Sequence, residues 1–137
     1  MAIFQLSNVF LHKGDKDILK DININIEKGE FITIIGQSGG GKTSLLRILG
    51  MLDSPTAGSI LYNGADIDDM DPIEYRKKVR YVFQKPYLFG KTVMDNIAFP
   101  FEINKKTVDM DKVYEMMDLL GVPRDFINKD KDELSGV

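Results

Sequence analysis

The chain reads Gly36-Gln37-Ser38-Gly39-Gly40-Gly41-Lys42-Thr43, which matches the pattern G-x-x-x-x-G-K-[ST] at every fixed position. Glycines let a backbone take positive φ angles and come close to an anion. Successive N–H groups of such a loop point inward and form an anion nest. The lysine and the hydroxyl residue that end the pattern can contact phosphate oxygens and Mg²⁺ respectively. Residues 36–43 are therefore predicted to form a phosphate-binding P-loop.

The segments on both sides of this loop support that interpretation. Residues 31–35 are a short apolar run rich in isoleucine, which is typical of a strand buried on both faces. Residues 43–49 have a helical pattern that Gly50 closes. Strand, glycine loop and helix in that order is the arrangement in which a P-loop occurs. The helix also places its positive N-terminal end at the loop, so we predict binding of nucleotide phosphates.

Length, charge and composition exclude several other classes of protein. A chain of 137 residues fits one domain, and its formal net charge of −3 argues against a nucleic-acid surface, which needs a basic face. It contains no cysteine, which excludes a disulfide framework and a thiolate metal site. No apolar run reaches the length of a membrane span, and the first residues do not resemble a signal peptide.

Upstream of the P-loop the pattern predicts strands over residues 3–9 and 18–26, joined by a polar turn around Gly14. In the second strand isoleucine alternates with asparagine, which indicates one wet face and an antiparallel sheet. Downstream, residues 59–62 read as a short strand, and Asn63-Gly64 is a strong hairpin signal.

The rest of the chain is predicted to be mostly helical. Asp71 caps a helix that starts at Pro72 and runs to about Lys78, and residues 79–83 read as a further strand. The helical pattern resumes at Thr92, and residues 109–120 carry a methionine-rich apolar stripe that we interpret as core packing. Residues 125–133 are charged and are interpreted as a solvated connector.

A P-loop alone does not choose among GTPases, kinases, motors and transporters. Residues 118–121 match the GTPase pattern D-x-x-G, but they lie on the amphipathic stripe and end at a helix stop. Residues 128–131 miss the guanine-reading pattern N-K-x-D, because lysine occupies the last position. We therefore disfavour a GTPase.

Four further segments resemble the nucleotide-binding domain of ABC transporters, and the resemblance covers essentially the whole chain. They are the approach to the P-loop (Ile18-Leu19-Lys20-Asp21-Ile22 with Lys28-Gly29-Glu30), the turn Pro55-Thr56-Ala57-Gly58-Ser59-Ile60, the Q-loop-like Tyr81-Val82-Phe83-Gln84-Lys85-Pro86, and Leu134-Ser135-Gly136, the opening of the LSGGQ signature. The implied fold is α/β, a P-loop NTPase with a RecA-like core, an antiparallel β subdomain and the start of an α-helical subdomain. We expect the β subdomain and core portion over residues 1–91 and the helical portion over residues 92–137.

Within that family, residues 88–96 and the following Phe99-Pro100-Phe101 look most like ATP-binding subunits of the iron-export type. Small importers and lipoprotein-release ATPases are close competitors. These residues describe a docking surface and not a substrate pocket.

The resemblance implies roles for individual residues. Lys42 and Gln84 would be catalytic, and Thr43 and Gln84 would ligate Mg²⁺. His12, or Phe10 nearby, would stack on adenine where the family usually has a tyrosine. Ser135 would contact the γ-phosphate on an opposing subunit, although Val137 stands where the family has glycine. The residues that would hold ATP are Gly36, Gln37, Ser38, Gly39, Gly40, Gly41, Lys42, Thr43, Ser44 and His12.

The resemblance also implies partners. These are a second ATP-binding subunit and a membrane permease, whose cytoplasmic helix would be received near Tyr87, Leu88 and Phe89. The protein would then lie in the cytoplasm, peripheral on the inner face of the cell membrane, with no nucleic-acid partner.

The sequence contains no apolar strand that ends in Asp-Glu, and His12 is its only histidine. The Walker B residues and the switch histidine of the family are therefore not found, and hydrolysis needs a group that orients water. We expect these residues to be the N-terminal part of a longer ATPase. The competing hypotheses are a nucleotide-binding fragment that does not hydrolyse ATP and a soluble ABC ATPase of DNA repair or translation.

Overall fold

Strand pairing organises the first part of the chain. The computed structural model describes residues 2–134. The chain divides into two units, Met1–Val82 and Phe83–Val137, and each is described by itself. The assignment of residues 1–91 and 92–137 to particular subdomains of the family stays a prediction.

The first unit contains an antiparallel sheet of four strands. They are β1 (Ala2–Lys13), β2 (Lys16–Glu27), β3 (Ala57–Tyr62) and β4 (Ala65–Asp66), in the spatial order β2-β1-β3-β4. The alternation predicted for the second strand is confirmed, because the isoleucines of β2 are partly buried while the intervening asparagines are exposed. Both long strands extend past their predicted ends, since the hairpin at Gly14 adds cross-strand pairs up to Lys13 and Lys16.

Two helices pack with this sheet. Helix α1 (Lys42–Leu49) buries Leu45 and Ile48 in a core that also contains Val9 and Ile60. Helix α2 (Pro72–Lys78) buries Tyr75, whose hydroxyl donates a hydrogen bond to the carbonyl of Leu49 at 2.5 Å. The core therefore joins both helices to the side of the sheet that faces away from solvent.

The local signals around α2 and the hairpin are confirmed. The Asp71 carboxylate accepts hydrogen bonds from the N–H groups of Ile73 and Glu74, each at 2.9 Å, and Pro72 is the first helical residue. Asn63 and Gly64 have φ angles of 50° and 82°, as a tight turn between β3 and β4 requires.

Two predicted strands, residues 31–35 and 79–83, are absent as strands in the described part of the chain. Both segments lack regular secondary structure. Phe31 is 95% exposed and Ile35 is 87% exposed. A strand exists through hydrogen bonds to neighbouring strands, and no other segment of residues 2–134 pairs with either run. The apolar composition predicted burial of residues 31–35, but within residues 2–134 these side chains are exposed, whereas Val79 is partly buried against the core of the first unit.

The second unit is built on two helices, α3 (Val93–Ile103) and α4 (Met110–Leu119). Helix α3 begins with a reciprocal capping box, in which Thr92 accepts a hydrogen bond from the N–H of Asp95 and Asp95 accepts one from the N–H of Thr92. The prediction of continuous helix from Thr92 onward is wrong for residues 104–109, where Lys105 has a positive φ of 53°.

The interpretation of residues 125–133 as a solvated connector is also wrong. Arg124–Asn128 and Lys131–Glu133 form short 3₁₀ segments. Ile127 is buried in a cluster with Val113 and Met117 of α4, and Asp130 forms a β-bridge with Thr92. Ile127 is an apolar residue among charged neighbours, so the overall charge of the segment did not indicate that it is buried.

The methionine-rich stripe of α4 is only partly core. Val113 and Met117 are buried, whereas Met116 and Leu120 are largely exposed. Together with residues of α3 they line an apolar cavity of about 370 Å³.

Candidate phosphate-binding site

The predicted P-loop has the backbone geometry that phosphate binding needs. Gly39 and Gly41 have φ angles of 80° and 81°, in the region that side chains rarely adopt. The Gly40 N–H donates to the Gln37 carbonyl at 3.1 Å, which closes a tight turn. A cavity of about 170 Å³ lies against residues 39–44 and Ile18. The structure thus brings Gly39, Gly40, Gly41, Lys42, Thr43 and Ser44 together around one concave site.

Lys42 lies across the same loop. Its ammonium donates to the carbonyl of Gly36 at 2.8 Å and to the carbonyl of Gln37 at 2.6 Å. These contacts hold the Lys42 ammonium beside the backbone N–H groups of the loop. An anion in the cavity would therefore contact the ammonium as well as the N–H groups. Gly36 and Gln37 therefore belong to the site through their carbonyl groups, as partners of Lys42.

Gly41 joins this loop to strand β2. A Cβ atom added at Gly41 would lie 2.6 Å from the Ile18 carbonyl oxygen and 2.8 Å from Leu19 Cδ2. Glycine is therefore needed here for the close approach as well as for the φ angle. Ile18 also lines the cavity. The sequence does not predict this, because nothing in the identity or spacing of Ile18 distinguishes it from other strand residues.

The N-terminus of α1 points its free amides into this region. Gly41 is the N-cap and no side chain caps the helix, and its first turn contains no acidic residue. The first N–H groups of a helix have no partner within the helix, and they add positive potential for an anion. The site therefore combines loop amides, helix amides and one ammonium.

Thr43 is exposed and lines the cavity. Among residues 2–134 no group of three or more acidic or histidine side chains could hold a metal ion. A magnesium ion commonly takes only one or two protein ligands and shares the oxygens of a bound phosphate, so a threonine hydroxyl fits this chemistry. Gln84 is exposed and belongs to the second unit, so its proposed contact with the metal stays a prediction.

The two candidates for base stacking lie side by side on β1. The rings of Phe10 and His12 are nearly parallel, with centroids 6.2 Å apart and an interplanar angle of 18°. The Asp17 carboxylate lies 2.5 Å from His12 Nδ1. Thr56 holds the backbone at both positions, because its N–H donates to the Phe10 carbonyl and its hydroxyl accepts from the His12 N–H. Asp17 and Thr56 are contacts that sequence reasoning missed.

An ion pair fixes the end of α1 that is distant from the phosphate loop. Arg47 donates two hydrogen bonds to Asp53, at 2.8 and 3.1 Å, and Lys13 lies 3.7 Å from the same carboxylate. The hydrogen bond from Arg47 holds the pKa of Asp53 below its usual value.

The predicted docking residues form an aromatic patch, Tyr87, Leu88, Phe89 and Phe99. Phe89 stacks on Phe99 with centroids 4.2 Å apart, and Tyr87 meets Phe89 edge-on. Asn96 exchanges hydrogen bonds with both backbone groups of Phe89, at 2.7 and 2.9 Å. Tyr87, Leu88 and Phe89 are exposed, and Asn96 together with the ring contacts connects this loop to α3.

The structure describes the first residue of the GTPase-like match and only the first residue of the signature-like segment. Asp118, the first residue of the GTPase-like match, pairs with Arg124, and this hydrogen bond lowers its pKa. Ser135 and Gly136 of the signature-like segment lie outside the described residues, whereas Leu134 is described and exposed. Within residues 2–134, no helix has the length and apolar character needed to cross a membrane.

Comparison with known proteins identifies the family. The family model described as ABC transporter matches residues 19–136. The chain is 40% identical over 134 residues to the probable iron export ATP-binding protein FetA of Escherichia coli (strain K12), covering 98% of this chain and 60% of FetA. It is also 40% identical over 140 residues to the spermidine/putrescine import ATP-binding protein PotA of Clostridium novyi (strain NT), covering 98% of this chain and 39% of PotA.

A solved structure shows the same fold. The ATP-binding cassette MJ0796, in a dimeric post-hydrolysis state bound to ADP and Pi, superposes with a TM-score of 0.77 at 29% identity. The match covers 96% of this chain and 63% of that one. The chain thus spans less than two thirds of these relatives, and its P-loop, sheet and helices are those of a partial P-loop NTPase domain. It belongs to the ABC transporter family.

Proposed function

We propose that this chain is part of an ATPase subunit that binds ATP and Mg²⁺ and uses hydrolysis to drive transport through a separate membrane subunit. The observation that carries this proposal is the P-loop, in which positive-φ glycines, an uncapped helix N-terminus and the Lys42 ammonium converge on one cavity. Such a site suits a polyphosphate better than any other common ligand.

The proposed chemistry follows from the groups at the site. Amides of residues 39–44 would hold the phosphates in place, and Lys42 would exchange its two carbonyl contacts for the more strongly accepting β- and γ-phosphate oxygens. Thr43 and Gln84 would hold Mg²⁺, which neutralises charge on the phosphate oxygens when bound. Positioning and charge stabilisation of this kind supply most of the catalysis in phosphoryl transfer.

His12 is the proposed partner of adenine, with Phe10 beside it. Both rings are on the strand that pairs with β2, and Ile18 of β2 lines the phosphate cavity. An aromatic face gives a base about 1–3 kcal/mol of stacking. Since stacking does not read hydrogen-bonding edges, this contact would favour purine bases without a strict choice between them.

The proposed partners are a second ATP-binding subunit and a membrane permease. MJ0796 is dimeric in its ADP-bound structure, and Ser135 would complete the site of the opposing copy. The aromatic patch would offer the permease an exposed apolar surface of the kind that receives an amphipathic helix. The protein would then act in the cytoplasm at the inner face of the membrane.

We propose export of iron as the transport process, on the likeness to FetA over nearly the whole chain. PotA has the same sequence identity to this chain, 40%, and is an import protein. The alternative hypothesis is therefore import of a small cation. Deletion of the gene should raise cellular iron, measured by mass spectrometry, after iron loading. Unchanged iron with reduced polyamine uptake would instead assign an importer.

Nucleotide binding without hydrolysis is the second candidate function. These 137 residues leave this function open, because no apolar strand among them ends in an Asp-Glu pair. Turnover of ATP by these residues alone should be negligible, while the full-length protein with its membrane partner hydrolyses ATP in a Lys42-dependent manner. Full-length protein that binds ATP without any turnover would establish the second function. Turnover that survives Lys42→Ala would refute the first.

A further inference from the structure

We propose that Asp17 is a positioning residue for nucleotide binding, which holds the His12 imidazole flat beside Phe10 so that the two rings form one platform for the base. This inference rests on the proposed function and concerns a residue outside the phosphate loop. The observations that carry it are the contact between Asp17 and His12 and the parallel arrangement of the two rings.

A β-bulge places Asp17 on the same side of the sheet as His12. Leu11 pairs with Leu19, and both are buried. The next pair is His12 with Asp17, so Ile18 is an extra residue in β2. Without this bulge strict alternation would place Asp17 on the same face as buried Leu19. Bulges re-aim side chains in this manner and are common beside functional sites.

The same bulge connects the platform to the phosphate cavity. Ile18 lines that cavity, and its carbonyl oxygen leaves no room for a Cβ atom at Gly41. Its neighbour Asp17 contacts the imidazole. The extra residue Ile18 and its neighbour Asp17 therefore link the cavity predicted for the phosphates to the rings predicted to bind the base.

Asp17 has no evident value for folding. Both side chains of the pair are about half exposed, at 47% for His12 and 51% for Asp17, and exposed polar contacts contribute little to stability. A side chain free to rotate must be ordered when a base stacks on it, at a cost in rotamer entropy. The short contact with Asp17 removes that cost in advance, while Thr56 holds the backbone below both rings.

The test measures the affinity of the full chain for ATP and for inorganic tripolyphosphate, which has no base. His12→Ala should raise the Kd for ATP roughly 5- to 100-fold, the value of one stacked base. Asp17→Asn should raise it about two- to fivefold, the value of one exposed hydrogen bond. Neither change should alter the Kd for tripolyphosphate or the melting temperature. Asp17→Glu should restore part of the ATP affinity.

A second background separates positioning from an indirect effect. A His12→Tyr protein has no imidazole at this position for Asp17 to orient. Asp17→Asn should therefore have no effect on ATP affinity in that background. An equal loss in both backgrounds would overturn the proposal, as would equal losses for ATP and tripolyphosphate or no loss at all. Wild-type protein that binds ATP no more tightly than tripolyphosphate would also overturn it, while leaving the phosphate site intact. Failure to bind either ligand would refute the proposed function itself.

Discussion

Replacement of Gly41 by alanine tests whether the phosphate loop is locked against strand β2. The added Cβ would lie 2.6 Å from the Ile18 carbonyl oxygen and 2.8 Å from Leu19 Cδ2, with a backbone φ of 81°. A left-handed conformation costs a non-glycine residue about 1–2 kcal/mol. An overpacked contact that forces backbone to move adds about 1–3 kcal/mol. We therefore expect Gly41→Ala to lower the free energy of unfolding by about 3 kcal/mol.

Gly14→Ala is the matched control for this experiment. Gly14 also has a positive φ, 57°, but a Cβ there meets nothing within 4 Å, so only the conformational cost of about 1–2 kcal/mol applies. Urea denaturation followed by circular dichroism measures both values, and an ATP titration reports the phosphate site. Gly41→Ala should abolish ATP binding and Gly14→Ala should preserve it. Equal destabilisation by the two changes would refute the reasoning, because the contact with Ile18 would then cost nothing.

Three further outcomes follow from contacts outside the phosphate loop. Tyr75→Phe leaves the buried carbonyl of Leu49 without its donor, so we expect a loss of about 1–2 kcal/mol in urea denaturation; no loss would contradict the contact. Arg47 lowers the pKa of Asp53, so the folded state binds fewer protons there, and this stability is present above pH about 4 and lost as the pH falls further. Asp53→Asn should therefore flatten the acid side of a plot of melting temperature against pH, and an unchanged slope would contradict this assignment. Asn96→Ala removes the clamp on the aromatic patch, so amide hydrogen exchange in that loop should accelerate about tenfold, and unchanged exchange would show that the ring contacts alone hold it.

Local chemistry explains which features could be predicted from the sequence. The cap at Asp71, the turn at Asn63-Gly64 and the helix after the P-loop depend on residues within four positions of one another, and all are confirmed. The glycine loop belongs to the same class. The positive φ angles of Gly39 and Gly41 are those that the glycine pattern predicts, so the sequence sufficed to predict the geometry of the loop.

The features that failed depend on distant residues. Residues 31–35 and 79–83 have strand composition, but a ladder needs neighbours, which no other part of residues 2–134 supplies. Ile127 is buried although its segment is charged, because Val113 and Met117 cover it. The contact of Asp17 with His12 requires a bulge that no residue type signals.

Calorimetric titration of Mg-ATP into wild-type and Lys42→Ala full-length protein measures directly whether residues 36–44 bind the nucleotide. Lys106→Ala controls for the loss of one positive charge. Lys42 touches the loop carbonyls, whereas Lys106 lies in an exposed turn of the second unit. We expect Lys42→Ala to raise the Kd for ATP at least tenfold, the value of one charge-assisted hydrogen bond of about 1.5–3 kcal/mol, and Lys106→Ala to leave it unchanged. Equal affinities in all three proteins would contradict the assignment of residues 36–44 as the nucleotide site.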